Sequence, residues 1–529
     1  MVFRATISEI TVSSISLKLR APQSSPKAFH NRLLPSSGEL LWAIEHDFME
    51  SSFTGLYRAM HSFLSSPAER RDLLMFRRAP RSDKSRMLTL DHGSFNSLAI
   101  RAKRARDFFL IVGPPGTGKT SFGLMTSLRE ELTNPEAQIV VLAFTNRAVD
   151  EICGKLKADG IEYIRLGTEL SCTSAKENLL SNRIAGCRTA AELRDIIVGT
   201  RVIVATTTAL NAAPLLFKLK HFSLAIIDEA SQILEPHIIG LLSAVSSNGI
   251  PAIERFIMIG DHKQLPAVVQ QTQEDSRVLV SDLLEIGLAD CSLSLFERLM
   301  RRYGDNPDFC FMLTSQGRMH EEIADFPNKA FYEGRLSAVP LPDQTASRPE
   351  IEESGNLLRN ILLARRVACL DVRPLGRGVS DKVNQREARL IASMVREIHE
   401  IAGSSFDADR TVGVIVPYRN QIAAIRNEIA AFGIDNLSDI TIDTIERFQG
   451  SQRKYIIYGF TISQPYQLDF LTNHTFTEKG ATIDRKLNVA MTRAEEHLLL
   501  VGNAPLLKAD YTFGRLLDYL EERKAVYVL

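Results

Sequence analysis

The sequence predicts an α/β protein with two parallel-sheet units in tandem, preceded by a short β-barrel and helical stalk segment. Three observations carry this. Between Phe108 and about Asp290, short runs of branched apolar residues alternate with helical stretches, the rhythm of repeated strand–helix–strand units. A second such series follows in the C-terminal half. The length of 529 residues suggests about three units at roughly 150 residues each, and 45% hydrophobic residues suffice for large cores.

In chain order, Phe3 to Leu19 alternates apolar and polar residues, as in two strands of a small barrel or hairpin, and Leu40 to Leu74 reads as helical. These define a first segment, residues 1–90. The second, 91–295, has expected strands at Phe108 to Val112, Ile139 to Phe144, Val202 to Ala205, Leu224 to Ile227 and Arg255 to Ile259. The third, 296–529, has them at Val367 to Leu370, Val412 to Val416, Ile440 to Ile442, Lys454 to Phe460 and His497 to Val501. The polar stretch Val339 to Ser354, with three prolines, reads as a surface loop inside this last unit.

Lysine plus arginine and aspartate plus glutamate balance at 63 each, so a polyanionic partner would be held by local basic surface rather than by net charge. The basic stretch from Arg70 to Arg106 is either such a surface or an ordinary solvated helix face. Six cysteines without a C-x-x-C pair point away from zinc ribbons and iron–sulfur sites, and toward reduced thiols in a cytosolic setting. No apolar run approaches the ~18 residues of a membrane span, and no secretory leader is evident. The expected compartment is therefore cytoplasmic, with the nucleus open as an alternative.

The chemistry concentrates in Gly113, Pro114, Pro115, Gly116, Thr117, Gly118, Lys119 and Thr120, which join the strand at Phe108 to a helix beginning near Ser121. Consecutive backbone N–H groups in a glycine-rich turn, backed by a helix N-terminus, make a concave anion site for nucleotide phosphates. Lys119 would reach the β- and γ-phosphates and the Thr120 hydroxyl would hold magnesium. Asp228 and Glu229 close the strand at Leu224, placing two carboxylates at the edge of the sheet where ligands bind. Asp228 suits magnesium, and Glu229 suits orienting and deprotonating water. The next strand ends in Gly260-Asp261-His262-Lys263-Gln264-Leu265-Pro266, where Gln264 can hydrogen-bond the γ-phosphate or the attacking water.

The strand–DEASQ, strand–GDHKQLP succession resembles the superfamily 1 helicases of type B, in the branch holding the nonsense-mediated-decay helicase and the helicase part of the replication helicase/nuclease. The resemblance runs from about Asn96 to Asn503, with the motifs in the family's order. It implies two tandem RecA-like P-loop domains, ATP and Mg2+ as cofactors, single-stranded or tailed duplex nucleic acid as partner, and 5′ to 3′ movement. Protein partners are not implied. Thr145-Asn146 and Thr206-Thr207 are similar to strand-contacting motifs, where short polar side chains bond phosphate oxygens without reading sequence. Arg318, in Gln316-Gly317-Arg318, and Arg493, in Asn488-Val-Ala-Met-Thr492-Arg493, match the family's arginine fingers. In Asp443-Thr444-Ile-Glu446-Arg447-Phe448-Gln449-Gly450, the resemblance puts Thr444 near the strand and Gln449 and Gly450 near the γ-phosphate.

Three positions depart from the family's usual residues. Asn96 stands where a glutamine grips the adenine edge, Gly317 where a tyrosine could stack on a base, and Gln452 where an acid follows Gly450. No acidic cluster suggesting a nuclease is evident. Two activities remain open at this stage: an ATP-driven helicase or translocase, or an ATP-switched clamp that holds nucleic acid without separating strands.

Overall fold

A computed structural model describes residues 5–11, 14–19, 51–347, 355–373 and 382–529. The chain divides into a unit Met1–Tyr57 and a unit Arg58–Leu529. In the first, Ala5–Ile10 pairs antiparallel with Ile15–Leu19, Ala5 opposite Leu19. The rest of the expected barrel and the stretch from Leu40 to Glu50 lie outside the described residues.

The second unit contains both parallel sheets. The first runs, edge to edge, Tyr163–Arg165, Val202–Thr206, Ile139–Ala143, Phe222–Ile227, Ile253–Gly260, Phe108–Val112 and Cys310–Met312. The second runs Thr441–Asp443, Val412–Ile415, Arg453–Gly459, Ala494–Gly502, Val367–Asp371 and Val526–Val528. This is the tandem RecA-like arrangement. All five residues of Phe108–Val112, of Ile139–Ala143 and of Val202–Thr206 are buried. Strands covered on both faces need apolar side chains on both, so they read as unbroken runs rather than alternations.

Within the two large parallel sheets, three strands escape the sequence reading: Tyr163–Arg165, Cys310–Met312 and Val526–Val528. Each has three residues and lies at a sheet edge, where one partner strand suffices and too few residues remain to show a period. The middle one lies beyond the boundary expected at residue 295. Cys310–Met312 pairs with Leu110–Val112, so the first sheet is completed only after that position.

The helix Asn146–Ala158 shows how sequence becomes layer. The Thr145 hydroxyl caps it by accepting the Ala148 N–H, and Val149, Ile152, Cys153 and Leu156 form a buried stripe at helical spacing against the sheet. At about 1.5–3 kcal/mol for each large apolar side chain buried, this stripe rather than intrinsic propensity holds the helix.

Much of the basic stretch before the phosphate loop is structural. Two Arg70 hydrogen bonds go to the carbonyls of Ile253 and Glu254, Arg78 and Arg81 both grip the Asp107 carboxylate, and Lys103 pairs with Glu130. Neither expected reading of these residues anticipated that. Farther along, the buried Arg298 donates to Glu235 and to the carbonyls of Leu74 and Ile286, with its guanidinium over the Phe76 ring. It thereby ties the helix Ala68–Leu74 to the first α/β layer.

In the second half the fully buried Glu387 carboxylate accepts from the Thr461 N–H at 2.9 Å and from its hydroxyl at 3.2 Å. Burial outweighs these bonds and pushes the carboxyl up to about 8 from an ordinary 4.5. Across that interval the folded protein keeps a proton that the unfolded chain has lost. Stability from this group is thus complete below about 4.5 and declines as pH rises toward 8. Glu387→Gln should therefore melt a few degrees higher than the parent at pH 8 and about level with it at pH 5, as followed by circular dichroism. Equal melting at pH 8 would place an ionised carboxylate there.

Among the described residues no helix is long and apolar enough to cross a membrane.

Candidate active site

The phosphate loop leaves the C-terminal end of Phe108–Val112 beside the turn that ends Ile253–Gly260, and the Gly113 N–H donates to the Gly260 carbonyl at 2.9 Å. The Thr117 hydroxyl closes the loop on the Pro114 carbonyl at 2.7 Å. Gly116 has φ +74°, and a Cβ there would stand 2.6 Å from the Arg318 Cβ. Only glycine accommodates both the backbone sign and that close approach. Beyond Gly118 the helix opens with a wide turn over Lys119–Leu124, as the Gly118 carbonyl accepts from both Phe122 and Gly123.

The Thr120 hydroxyl donates to Asp228 Oδ2 at 2.8 Å, so the two expected magnesium ligands are neighbours. Lys119 Nζ lies 3.0 Å from Glu229 Oε1, and Gln232 donates to Glu229 Oε2 at 3.0 Å. Burial and then the adjoining Glu229 charge push the Asp228 carboxyl up. Burial also acts upward on Glu229, but Lys119, Gln232 and Arg493 outweigh it and hold that carboxyl below its usual range. Glu229 has φ +50°, a left-handed backbone rare outside glycine, and the following turn carries Ala230–Gln232.

From the second half, Gly317 N–H donates to the Gly116 carbonyl at 2.9 Å, setting Arg318 over the phosphate loop. Arg318 donates through Nε to Gln452 Oε1 at 2.7 Å and through Nη1 to the Thr492 carbonyl at 3.2 Å. Gln452, unusual at its position, thus supplies an uncharged partner where an acid would have supplied a carboxylate. Arg493 is 2% exposed and donates to Gln264 Oε1 at 3.1 Å, to the Val489 carbonyl and to the Ser451 carbonyl. All its acceptors are neutral. Burial, then the neighbouring Arg318 charge, push Arg493 down to about 9. Among the described residues neither arginine forms an ion pair.

Three residues at the junction were not expected. Asp261, wholly buried, accepts from Gln264 Nε2 at 2.9 Å and from the Tyr332 hydroxyl at 2.8 Å. Asn488 donates to the Tyr332 hydroxyl at 2.8 Å and to the Lys263 carbonyl at 2.7 Å. Asp261 was findable, because it ends a strand parallel to the one ending in Asp228. Tyr332 carries no local signal, since its place is set only when the halves meet.

The remaining expected residues divide. Thr145 and Thr206 stand together at the C-terminal edge, where Ala143 is opposite Thr206, and each hydroxyl caps its own helix. Asn146 is exposed, Thr207 is buried, and Thr444 is half-buried at the equivalent edge of the second sheet. Gln449 has a buried Nε2 without a hydrogen-bond partner, and Gly450 is exposed with φ +78°. Asn96 lies at the start of the helix Asn96–Arg104 with its amide donating to Asp91 Oδ1 and accepting the His92 N–H, each at 2.7 Å. Its amide closes that turn rather than standing open to a base.

A glycine-rich loop with Lys119 and Thr120, two acids at the end of the neighbouring strand and two arginines from the second half make a candidate nucleotide-phosphate site in a tandem RecA-like architecture. Two family models, each described as an AAA domain, match residues 94–186 with 173–272, and residues 291–505. By its ordered motifs and these matches the chain is similar to the superfamily 1 helicases, in the branch of the DNA replication helicase/nucleases. It is 27% identical over 543 residues to the DNA replication ATP-dependent helicase/nuclease JHS1 of Arabidopsis thaliana, covering 99% of this chain and 37% of that protein. It is 29% identical over 448 residues to the DNA replication ATP-dependent helicase/nuclease DNA2 of Mus musculus, covering 80% of this chain and 38% of that protein. The chain thus spans less than two-fifths of the length of these relatives. A solved arterivirus nonstructural protein 10 helicase in complex with DNA aligns with 76% of this chain and 61% of its own at 13% identity and a TM-score of 0.37.

Proposed function

We propose that this chain hydrolyses ATP between its two α/β halves and uses the cycle to move 5′ to 3′ along single-stranded nucleic acid, unwinding tailed duplexes. The observation that supports this best is the pair of arginines with neutral partners beside the phosphate loop. Cations at a buried junction whose hydrogen-bond partners are neutral and whose anionic neighbours act only at longer range are costly alone and become favourable when a polyphosphate arrives.

In this reading the backbone of residues 113–120 cradles the phosphates. Thr120 and Asp228, already adjacent, offer oxygen ligands suited to Mg2+, which when bound supplies charge neutralisation on the phosphates. Lys119 exchanges Glu229 for phosphate oxygens. Glu229 loses the partner that most favours its ionised form, so its carboxylate becomes more basic as it orients water. Gln264 links the water-side turn to Arg493, and Arg493 and Arg318 meet the charge that spreads over the transferred phosphoryl group. Thr145, Asn146, Thr206, Thr207 and Thr444 mark the strand-facing edge, with residues 91–295 and 296–529 as the two gripping domains and residues 1–90 as the accessory segment. The two relatives act in DNA replication by name, so single-stranded DNA is the expected track, in a nuclear or cytoplasmic compartment.

The test is ATPase rate with single-stranded DNA and RNA side by side at fixed salt, together with displacement of a tailed duplex strand. Stimulated hydrolysis with displacement supports the reading. Stimulated hydrolysis without displacement would assign the clamp instead.

A further inference from the structure

Of the two positions that the motif pattern assigns to the base, one is already engaged in a turn and the other carries no side chain. The Asn96 amide is engaged on both its polar atoms within the turn Asp91–Asn96. Position 317, beside the phosphate loop, is glycine, and a Cβ there would meet only Leu341 Cδ1 at 3.4 Å. Neither a bidentate edge contact nor an aromatic lid comes from those positions.

An aromatic surface lies against the end of the same loop. Phe122, in the first turn of the phosphate-loop helix, is 45% exposed although phenylalanine is ordinarily interior. Its ring stacks on Phe95 with centroids 4.4 Å apart and planes 11° apart. The ring edge also crowds Gly118, where a Cβ would stand 2.3 Å from Phe122 Cδ2. The ring is therefore fixed by contact on one face and along one edge, within the loop that would carry the phosphates.

We propose that the open face of Phe122, backed by Phe95, is the platform on which the base of a bound nucleoside triphosphate stacks, and that stacking rather than an edge-reading amide governs base selection. The proposal rests on nucleotide binding at the loop described above. Stacking is available to any base, because every base has a π-face. A purine gains most by its larger area, and adenine and guanine gain nearly alike. The chain should then discriminate weakly between ATP and GTP. Sites built to hydrogen-bond a ligand group, by contrast, reject analogues lacking it by roughly 10⁴-fold or more.

The experiment uses the full chain. Equilibrium binding of ATP, GTP and inorganic triphosphate is measured by calorimetry, and KM and kcat are measured for both nucleoside triphosphates with single-stranded DNA. ATP and GTP are expected to bind within about 5-fold of one another, and Phe122→Ala to weaken both by roughly 10-fold, from the usual worth of one base–aromatic stack. Inorganic triphosphate should bind the variant as it binds the parent, which also reports an intact loop and fold. Phe122→Tyr should restore both nucleotides. Unchanged ATP binding in Phe122→Ala overturns the proposal, as does an ATP preference above about 100-fold that Asn96→Ala abolishes. Binding that responds to Phe122 in a chain that hydrolyses nothing would leave this platform standing and refute the hydrolytic function instead.

Discussion

Glu229→Gln should reduce nucleic-acid-stimulated ATP hydrolysis by on the order of 10³-fold while leaving nucleotide affinity nearly unchanged. Glutamine keeps the shape and can still meet Gln232, 3.0 Å away in the parent, but it cannot take a proton from water. The parent carboxylate is held ionised chiefly against burial by Lys119, so substitution also leaves that ammonium without its 3.0 Å partner. Lysine freed in this way is available to phosphate, which is why affinity should hold or rise. Lys119→Ala is the complementary variant. It too should abolish stimulated hydrolysis, but with nucleotide affinity falling as well, because the phosphates lose their nearest cation. Direct binding and turnover measured on both proteins separate the two effects. Full turnover in either purified variant would sink the hydrolytic assignment.

Arg493→Ala should lower kcat by about 10³-fold or more, the usual worth of an arginine that stabilises phosphoryl transfer. The lysine variant should not recover it, since an ammonium lacks the planar fork that spans two oxygens. Stability offers a discriminating readout. Truncating a buried ion-paired arginine typically costs about 3–5 kcal/mol through the anion left behind. Here the acceptors are Gln264 Oε1 and the carbonyls of Val489 and Ser451, and at longer range Arg318 repels the guanidinium while Glu229 attracts it less strongly. Relief of that repulsion offsets part of the lost hydrogen bonding. The melting temperature should shift by only a few degrees while turnover collapses. A variant retaining more than a tenth of parental kcat would remove Arg493 from the chemistry. One that fails to fold would show the neutral contacts to be structural in the first place, and Arg493→Lys would then carry the test.

Central strands were legible because their physical situation is written in their composition. Phe108–Val112 was placed to the residue, since a strand covered on both faces must be apolar throughout. Edge strands such as Tyr163–Arg165 were not, because half their hydrogen-bonding potential is unpaired within the sheet and their three residues carry no period. The loop from Gly113 to Thr120 and the acids Asp228 and Glu229 were equally legible. Each is a local solution to holding phosphate or metal, and each sits directly after a recognisable strand. Asp261, Tyr332 and Asn488 were missed for the opposite reason: the Tyr332 hydroxyl lies between Asp261, in a turn, and Asn488, in the helix Arg485–Met491 far along the chain. Asn96 was read, from its place in the resemblance, as standing where a glutamine grips adenine, and that place could not reveal that its amide was already bonded to Asp91 and His92.

By itself, then, the sequence determined the parallel α/β architecture, the phosphate loop and the ordered motifs that resemble those of superfamily 1 helicases. These follow from burial and backbone geometry within a few consecutive residues. Only the tertiary structure decided which charges are neutralised and which are not. That Glu229 leans on Lys119 while Arg318 and Arg493 have neutral partners depends on the approach of segments far apart in the chain. The strength of a buried charge is set by its surroundings in three dimensions, not by its neighbours in sequence.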